Sequence, residues 1–120
     1  MPKLNLFSNW VPIVFSLQNA NLLSGTLVPE IVYLTELTLF EASGMQVTGS
    51  IGGQFSNASN LEALMLNNNR MTGSIPDNFV LENGALTTLQ LSGNKLIGTI
   101  PSSLSTLTNL RKCQCELIYD

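Results

Sequence analysis

Apolar positions recur along this chain in a fixed phrase. It reads Leu61-x-x-Leu64-x-Leu66-x-x-Asn69 and again, 25 residues on, Leu86-x-x-Leu89-x-Leu91-x-x-Asn94. A degenerate copy holds Leu37, Phe40, Ala42 and Met45, and a last copy holds Leu110, Cys113, Cys115 and Ile118. The alternation that ends each phrase predicts a short strand, with two apolar side chains on one side and their neighbours on the other. A second phrase follows, built on Gly25, Gly49, Gly73 and Gly98 at spacings of 24, 24 and 25 residues. Two positions after each glycine stands Leu27, Ile51, Ile75 or Ile100. Proline comes next at Pro76 and Pro101, one residue late at Pro29, and is replaced by Gly52 in the second copy.

A period this short leaves no room for a full α-helix in each copy, so the copies predict a stacked coil in which strands add to one parallel sheet. One coil cannot bury its own apolar face, and stability becomes a sum of contacts between neighbours. The asparagine ends the strand, where its amide can bond the backbone of adjacent coils. Glycine permits a tight path, and proline fixes φ as the chain turns to the far side. The asparagine column reads Asn21, Met45, Asn69, Asn94, Ile118, so backbone groups at Met45 and Ile118 are expected to find other partners. The second coil (Ala42, Met45, Gly52) and the unfinished last coil, which no polar cap follows after Asp120, are expected to be the softest parts.

Together these registers resemble the plant-type leucine-rich repeat, LxxLxLxxNxLxGxIPxxLxxL, over nearly everything from residue 13 to the end. The front segment, Asn19-Ala20-Asn21-Leu22-Leu23-Ser24-Gly25-Thr26-Leu27-Val28-Pro29, resembles the opening repeat of somatic-embryogenesis receptor kinases and related receptor-like proteins. One extra leucine in that segment predicts a bulge. The chain departs from those proteins in lacking their paired-cysteine cap and any transmembrane or kinase segment, so a co-receptor role does not carry over. The resemblance implies an α/β repeat solenoid, right-handed, with a concave parallel β-sheet and an irregular or 3₁₀ convex side. Residues 1–12 would form an N-terminal cap segment and residues 13–120 the solenoid, about four to five coils of which three are complete. It further implies a non-catalytic module that recognises a protein or peptide, of receptor-like or inhibitor type, and favours an extracellular or secretory-pathway location.

The concave face is the long curved surface that stacking creates, and it supplies the candidate site. Its outward positions form four rows: Val14, Leu39, Ala63, Thr88, Lys112; Ser16, Glu41, Met65, Gln90, Gln114; Gln18, Ser43, Asn67, Ser92, Glu116; and Asn19, Gly44, Asn68, Gly93, Leu117. The face is neutral, with a small apolar patch at Leu39, Ala63 and Met65 and none of the large aromatic anchors that dominate many interfaces.

Composition narrows the chemistry. Hydrophobic residues make up 44% of the chain and charged residues 11%, less than half of the roughly 25% usual in soluble proteins. A net charge of −3 with five basic residues excludes a nucleic-acid surface, which needs clustered Lys and Arg. No apolar run approaches the roughly 20 residues of a membrane span, and the apolar tract of the first 17 residues is interrupted by Asn5, Ser8, Asn9 and Pro12. Histidine is absent, and no carboxylate dyad forms: Glu41 has Ser16 and Met65 beside it, Glu116 has Ser92. No enzyme, cofactor or metal is expected. The low charge and uncapped end also fit a structural subunit buried in a multi-subunit assembly.

Other features have plain expectations. Cys113 and Cys115 take the two inward strand positions and read as small buried apolar side chains, since such residues lie about 6.5–7 Å apart, the far limit for a disulfide. Trp10 reads as a shield for the first coil. Asn57-Ala58-Ser59 is an N-glycosylation sequon on the convex return, accessible if the protein is secreted. Two Ser/Thr columns flank the repeat glycines: Ser24, Thr48, Thr72, Ile97 and Thr26, Ser50, Ser74, Thr99. Such arrays resemble ice-binding faces, a minor alternative.

Overall fold

The computed structural model describes residues 13–16, 24–77 and 85–115. The cap segment 1–12 with Trp10, the doubled leucine Leu22-Leu23, and Gln18, Asn19, Asn21, Glu116, Leu117 and Ile118 lie outside the described residues. Strands β1 (Ile13–Ser16), β3 (Leu37–Glu41), β5 (Ala63–Met65), β7 (Thr88–Gln90) and β9 (Lys112–Gln114) form one parallel sheet in that spatial order. Every second strand of the chain joins this sheet, as one strand per coil requires. The remaining strands, β2 (Ser24–Thr26), β4 (Gln46–Thr48), β6 (Thr72–Ser74) and β8 (Lys95–Ile97), make two further parallel pairs, β2 with β4 and β6 with β8. The far side carries 3₁₀ turns at Pro29–Tyr33 and Ser102–Thr106. The architecture is the leucine-rich repeat solenoid, and no α-helix occurs among the described residues.

The inward positions stack into ladders. Leu37, Leu61 and Leu86 form one, Phe40, Leu64 and Leu89 the next, and Ala42, Leu66 and Leu91 a third, all buried. Fully burying a leucine stabilises by about 1.5–3 kcal/mol, so these ladders are the main attractive term between coils. The second coil trades volume within its ladder rungs. Phe40 is larger than leucine, Ala42 smaller, and the Phe40 ring meets Phe55 edge-on at 5.0 Å and 72°. Val47, Met71 and Leu96 continue the core beneath the flanking strands.

Asn69 and Asn94 are the buried polar residues of the core. The Asn69 carbonyl oxygen accepts from Met45 N–H at 3.2 Å and Val47 N–H at 3.1 Å. Its amide donates to the Ala42 and Leu66 carbonyls at 2.8 and 3.0 Å. Asn94 repeats the scheme one coil on, accepting from Met71 N–H at 3.0 Å and donating to Leu66 and Leu91 carbonyls at 2.9 Å each. Each asparagine thus serves the coil before it, and the backbone at Met45 finds its partner in Asn69.

Three features differ from the sequence expectations. The flanking strand pairs are an addition that the repeat pattern does not announce. Gly49 shows how they form: its φ of +82° is unfavourable for other residues, and an added Cβ would sit 2.8 Å from Thr26 Cγ2 on the adjacent coil. The cysteines correct the expectation of two buried thiols. Strand β9 ends at Gln114, so the chain leaves its extended path and brings the Cys113 and Cys115 Cα atoms to 5.9 Å, where they are disulfide-bonded. Cys115 is buried but Cys113 is exposed, because no coil among the described residues covers its far side. Ile100 is likewise 51% exposed, whereas Ile51 and Ile75 at the same repeat position are buried.

Candidate functional site

The five-stranded sheet sets the outward residues side by side in the register expected from the repeat. Leu39 pairs with Ala63, Ala63 with Thr88 and Thr88 with Lys112; Glu41 pairs with Met65, Met65 with Gln90 and Gln90 with Gln114. Val14 and Ser16 extend the rows through β1. Adjacent strands lie about 4.8 Å apart, so each row is a ladder of neighbouring side chains.

Leu39, Glu41, Ala63, Met65, Thr88 and Gln90 are all half-buried, while Lys112 and Gln114 on the outer strand are exposed. Val14 is 59% exposed, so the apolar patch of Leu39, Ala63 and Met65 extends towards the first coil. Cross-coil hydrogen bonds hold the polar members. Ser16 Oγ donates to Glu41 Oε2 at 3.2 Å, and Ser43 Oγ donates to Asn67 Oδ1 at 2.5 Å. Ser43, Asn67 and Ser92 are half-buried in the third row. The rim beside them is shaped by left-handed backbone at Gly44, Asn68 and Gly93. At Gly93 φ is +73° and an added Cβ would meet the Asn68 side-chain oxygen and lie 3.1 Å from the Asn68 backbone, so a larger residue there is strained.

This arrangement offers shape, a modest apolar surface and mostly uncharged hydrogen-bonding groups, with Glu41 and Lys112 the charged members among the described residues of the rows. Among the described residues no group of three His, Cys, Asp or Glu side chains could hold a metal ion. No described helix is long and apolar enough to cross a membrane. The repeat asparagines and the glycines Gly25, Gly49, Gly73 and Gly98 are structural, the glycines all at positive φ. On the flank, Thr26, Thr48, Ser50, Thr72, Ser74, Ile97 and Thr99 are exposed, interleaved with exposed Gln46, Arg70 and Lys95. Asn57 and Ser59 are exposed on the convex return.

The leucine rich repeat family model matches residues 60–80 and 85–107, the two best-formed coils. The Arabidopsis thaliana LRR receptor-like serine/threonine-protein kinase GSO2 is 42% identical over 76 residues, 63% of this chain and 6% of the kinase. The chain is a plant-type leucine-rich repeat protein. Among solved structures, a plant peptide hormone receptor, RGFR1 in complex with RGF2, superposes with a TM-score of 0.75 at 31% identity, covering 81% of this chain and 16% of the receptor. The BIR3–SERK2 complex from Arabidopsis thaliana gives 0.71 at 36% identity, covering 81% and 51%. A plant ice-binding protein gives 0.64 at 28% identity, covering 81% and 39%. This leucine-rich repeat chain therefore spans a small part of the kinase and receptor it matches. The part of the kinase shared with it is the repeat region, and repeat ectodomains of this kind are generally non-catalytic.

Proposed function

We propose that this protein is a recognition module of receptor-like or inhibitor type whose concave sheet binds a protein or peptide. The observation that carries this reading is the half-exposed apolar patch of Leu39, Ala63 and Met65, set among polar side chains on a five-stranded parallel sheet. Burying apolar surface supplies the affinity, and Glu41, Ser43, Asn67, Thr88, Gln90, Ser92, Lys112 and Gln114 around it supply directional contacts. Two of the similar structures are complexes, a plant peptide hormone receptor, RGFR1, with RGF2, and BIR3 with SERK2. The test is parallel capture from the native source with the wild-type chain and with Met65→Lys. Loss of specific partners from the variant supports the reading. An identical captured set, with the variant folded, moves recognition off this face.

A second reading belongs to the flank, where exposed hydroxyls recur on successive coils and a plant ice-binding protein shares the fold. Arg70 and Lys95 interrupt that array, which is why the concave reading is preferred. Inhibition of ice recrystallisation that is abolished by Thr48→Tyr with Thr72→Tyr, and spared by Met65→Lys, would favour the flank instead.

A further inference from the structure

The convex side carries two residues that neither the core nor the concave site uses. Tyr33, at the end of the first 3₁₀ turn, is 63% exposed, more than any other large hydrophobic residue among those described. Asn57, one period later, opens the sequon Asn57-Ala58-Ser59.

The hydrogen bonds show that these two positions are the same place on neighbouring coils. Leu34 N–H bonds the Ile31 carbonyl at 2.9 Å and Ala58 N–H bonds the Phe55 carbonyl at 3.1 Å. Leu37 N–H then bonds Leu34 and Leu61 N–H bonds Ala58, at 3.2 and 3.1 Å. Leu34 and Ala58 both point into the core, so the residue before each points out. Three positions on, the coils touch directly: Asn60 Nδ2 donates to Glu36 Oε2 at 3.3 Å. Tyr33 and Asn57 therefore hold equivalent, exposed positions on adjacent coils.

We propose that Asn57 carries an N-linked glycan and that Tyr33 is the aromatic surface on which its first sugar rests. Asn57 and Ser59 are exposed while Ala58 between them is buried, so a glycan projects outward without disturbing the core. The site lies on the convex return, away from the concave rows, and leaves the proposed recognition face open. The donor is a lipid-linked oligosaccharide pyrophosphate. Asn57 Nδ2 forms a bond to C1 of the donated sugar as the C1–O bond to pyrophosphate breaks, the lipid pyrophosphate leaves with the bonding electrons, and Nδ2 gives up one proton. The apolar face of the first sugar then covers the ring of Tyr33, removing both from water. This accounts for the exposure of the Tyr33 ring. The proposal places the protein in the secretory pathway, the compartment in which the Cys113–Cys115 disulfide persists.

The experiment begins with the intact mass of the full chain from its source cells, before and after enzymatic removal of N-glycans. A mass loss that is absent in Asn57→Gln and in Ser59→Ala, but retained in Ser59→Thr, is the expected result. Wild-type protein already at its unmodified mass overturns the site. Melting temperatures are then compared for protein trimmed to one sugar and protein with none, in the wild type and in Tyr33→Ser. The single sugar is expected to raise Tm in the wild type and not in the variant. An equal rise in both overturns the role of Tyr33 while the glycan stands.

Discussion

The two middle coils and the outer coil are written on the same template and meet different fates. Leu64 and Leu89 are completely buried, and the residue in their column on the outer coil, Cys113, is exposed. Ile75 is buried and Ile100, in the same phase, is half in water. The side chains occupy equivalent positions of the coil; what differs is whether another coil among the described residues lies against them. Burial here is a property of stacking, so the value of a residue depends on its place in the array as much as on its type.

That contrast can be sharpened or broken by substitution. Leu91→Ala removes a fully buried rung between packed neighbours and should cost about 2–5 kcal/mol in denaturant unfolding; a loss below 1 kcal/mol would mean the inward register is misassigned. Asn69→Ala should cost about 2–4 kcal/mol, because it strands buried N–H groups at Met45 and Val47. Its signature is directional: hydrogen exchange should quicken at Met45 and Val47, in the coil before Asn69, while Asn94→Ala should do the same at Met71. Exchange that quickens first in the coil after the substitution would contradict the backward service of the asparagine. Ile75→Ala should resemble Leu91→Ala, whereas Ile100→Ala should cost less than about 1 kcal/mol. Equal losses at the two isoleucines would remove the distinction between middle and outer coils.

Much of this was legible in the sequence. In the five-stranded sheet the repeat period gives the neighbours, and the rows Leu39–Ala63–Thr88–Lys112 and Glu41–Met65–Gln90–Gln114 pair as the repeat requires. The flanking pairs are staggered instead, with Ser24 beside Gln46 and Thr72 beside Lys95, so the Ser/Thr columns of the sequence are not rows of paired strands. What the period could not show is what covers each column. Cys113 sits at an inward position yet is exposed, and Ile100 follows the template yet faces water. The flanking strand pairs escaped notice because they come from close backbone approach at positive-φ glycines, which has no hydrophobic alternation to announce it. The sequon at Asn57 was visible in the sequence, but Tyr33 was not, because only the exposure of its ring singles it out.

The outward rows are where fold and function separate. Met65 shares a strand with Leu64, yet its side chain faces away from the ladder that holds the coils together. The most direct test of the account is the affinity of Met65→Lys for a captured partner, measured beside its melting curve. The account predicts an affinity at least about tenfold weaker, since a charge is forced into a desolvated contact, with melting unchanged. Unchanged affinity together with unchanged melting would contradict it.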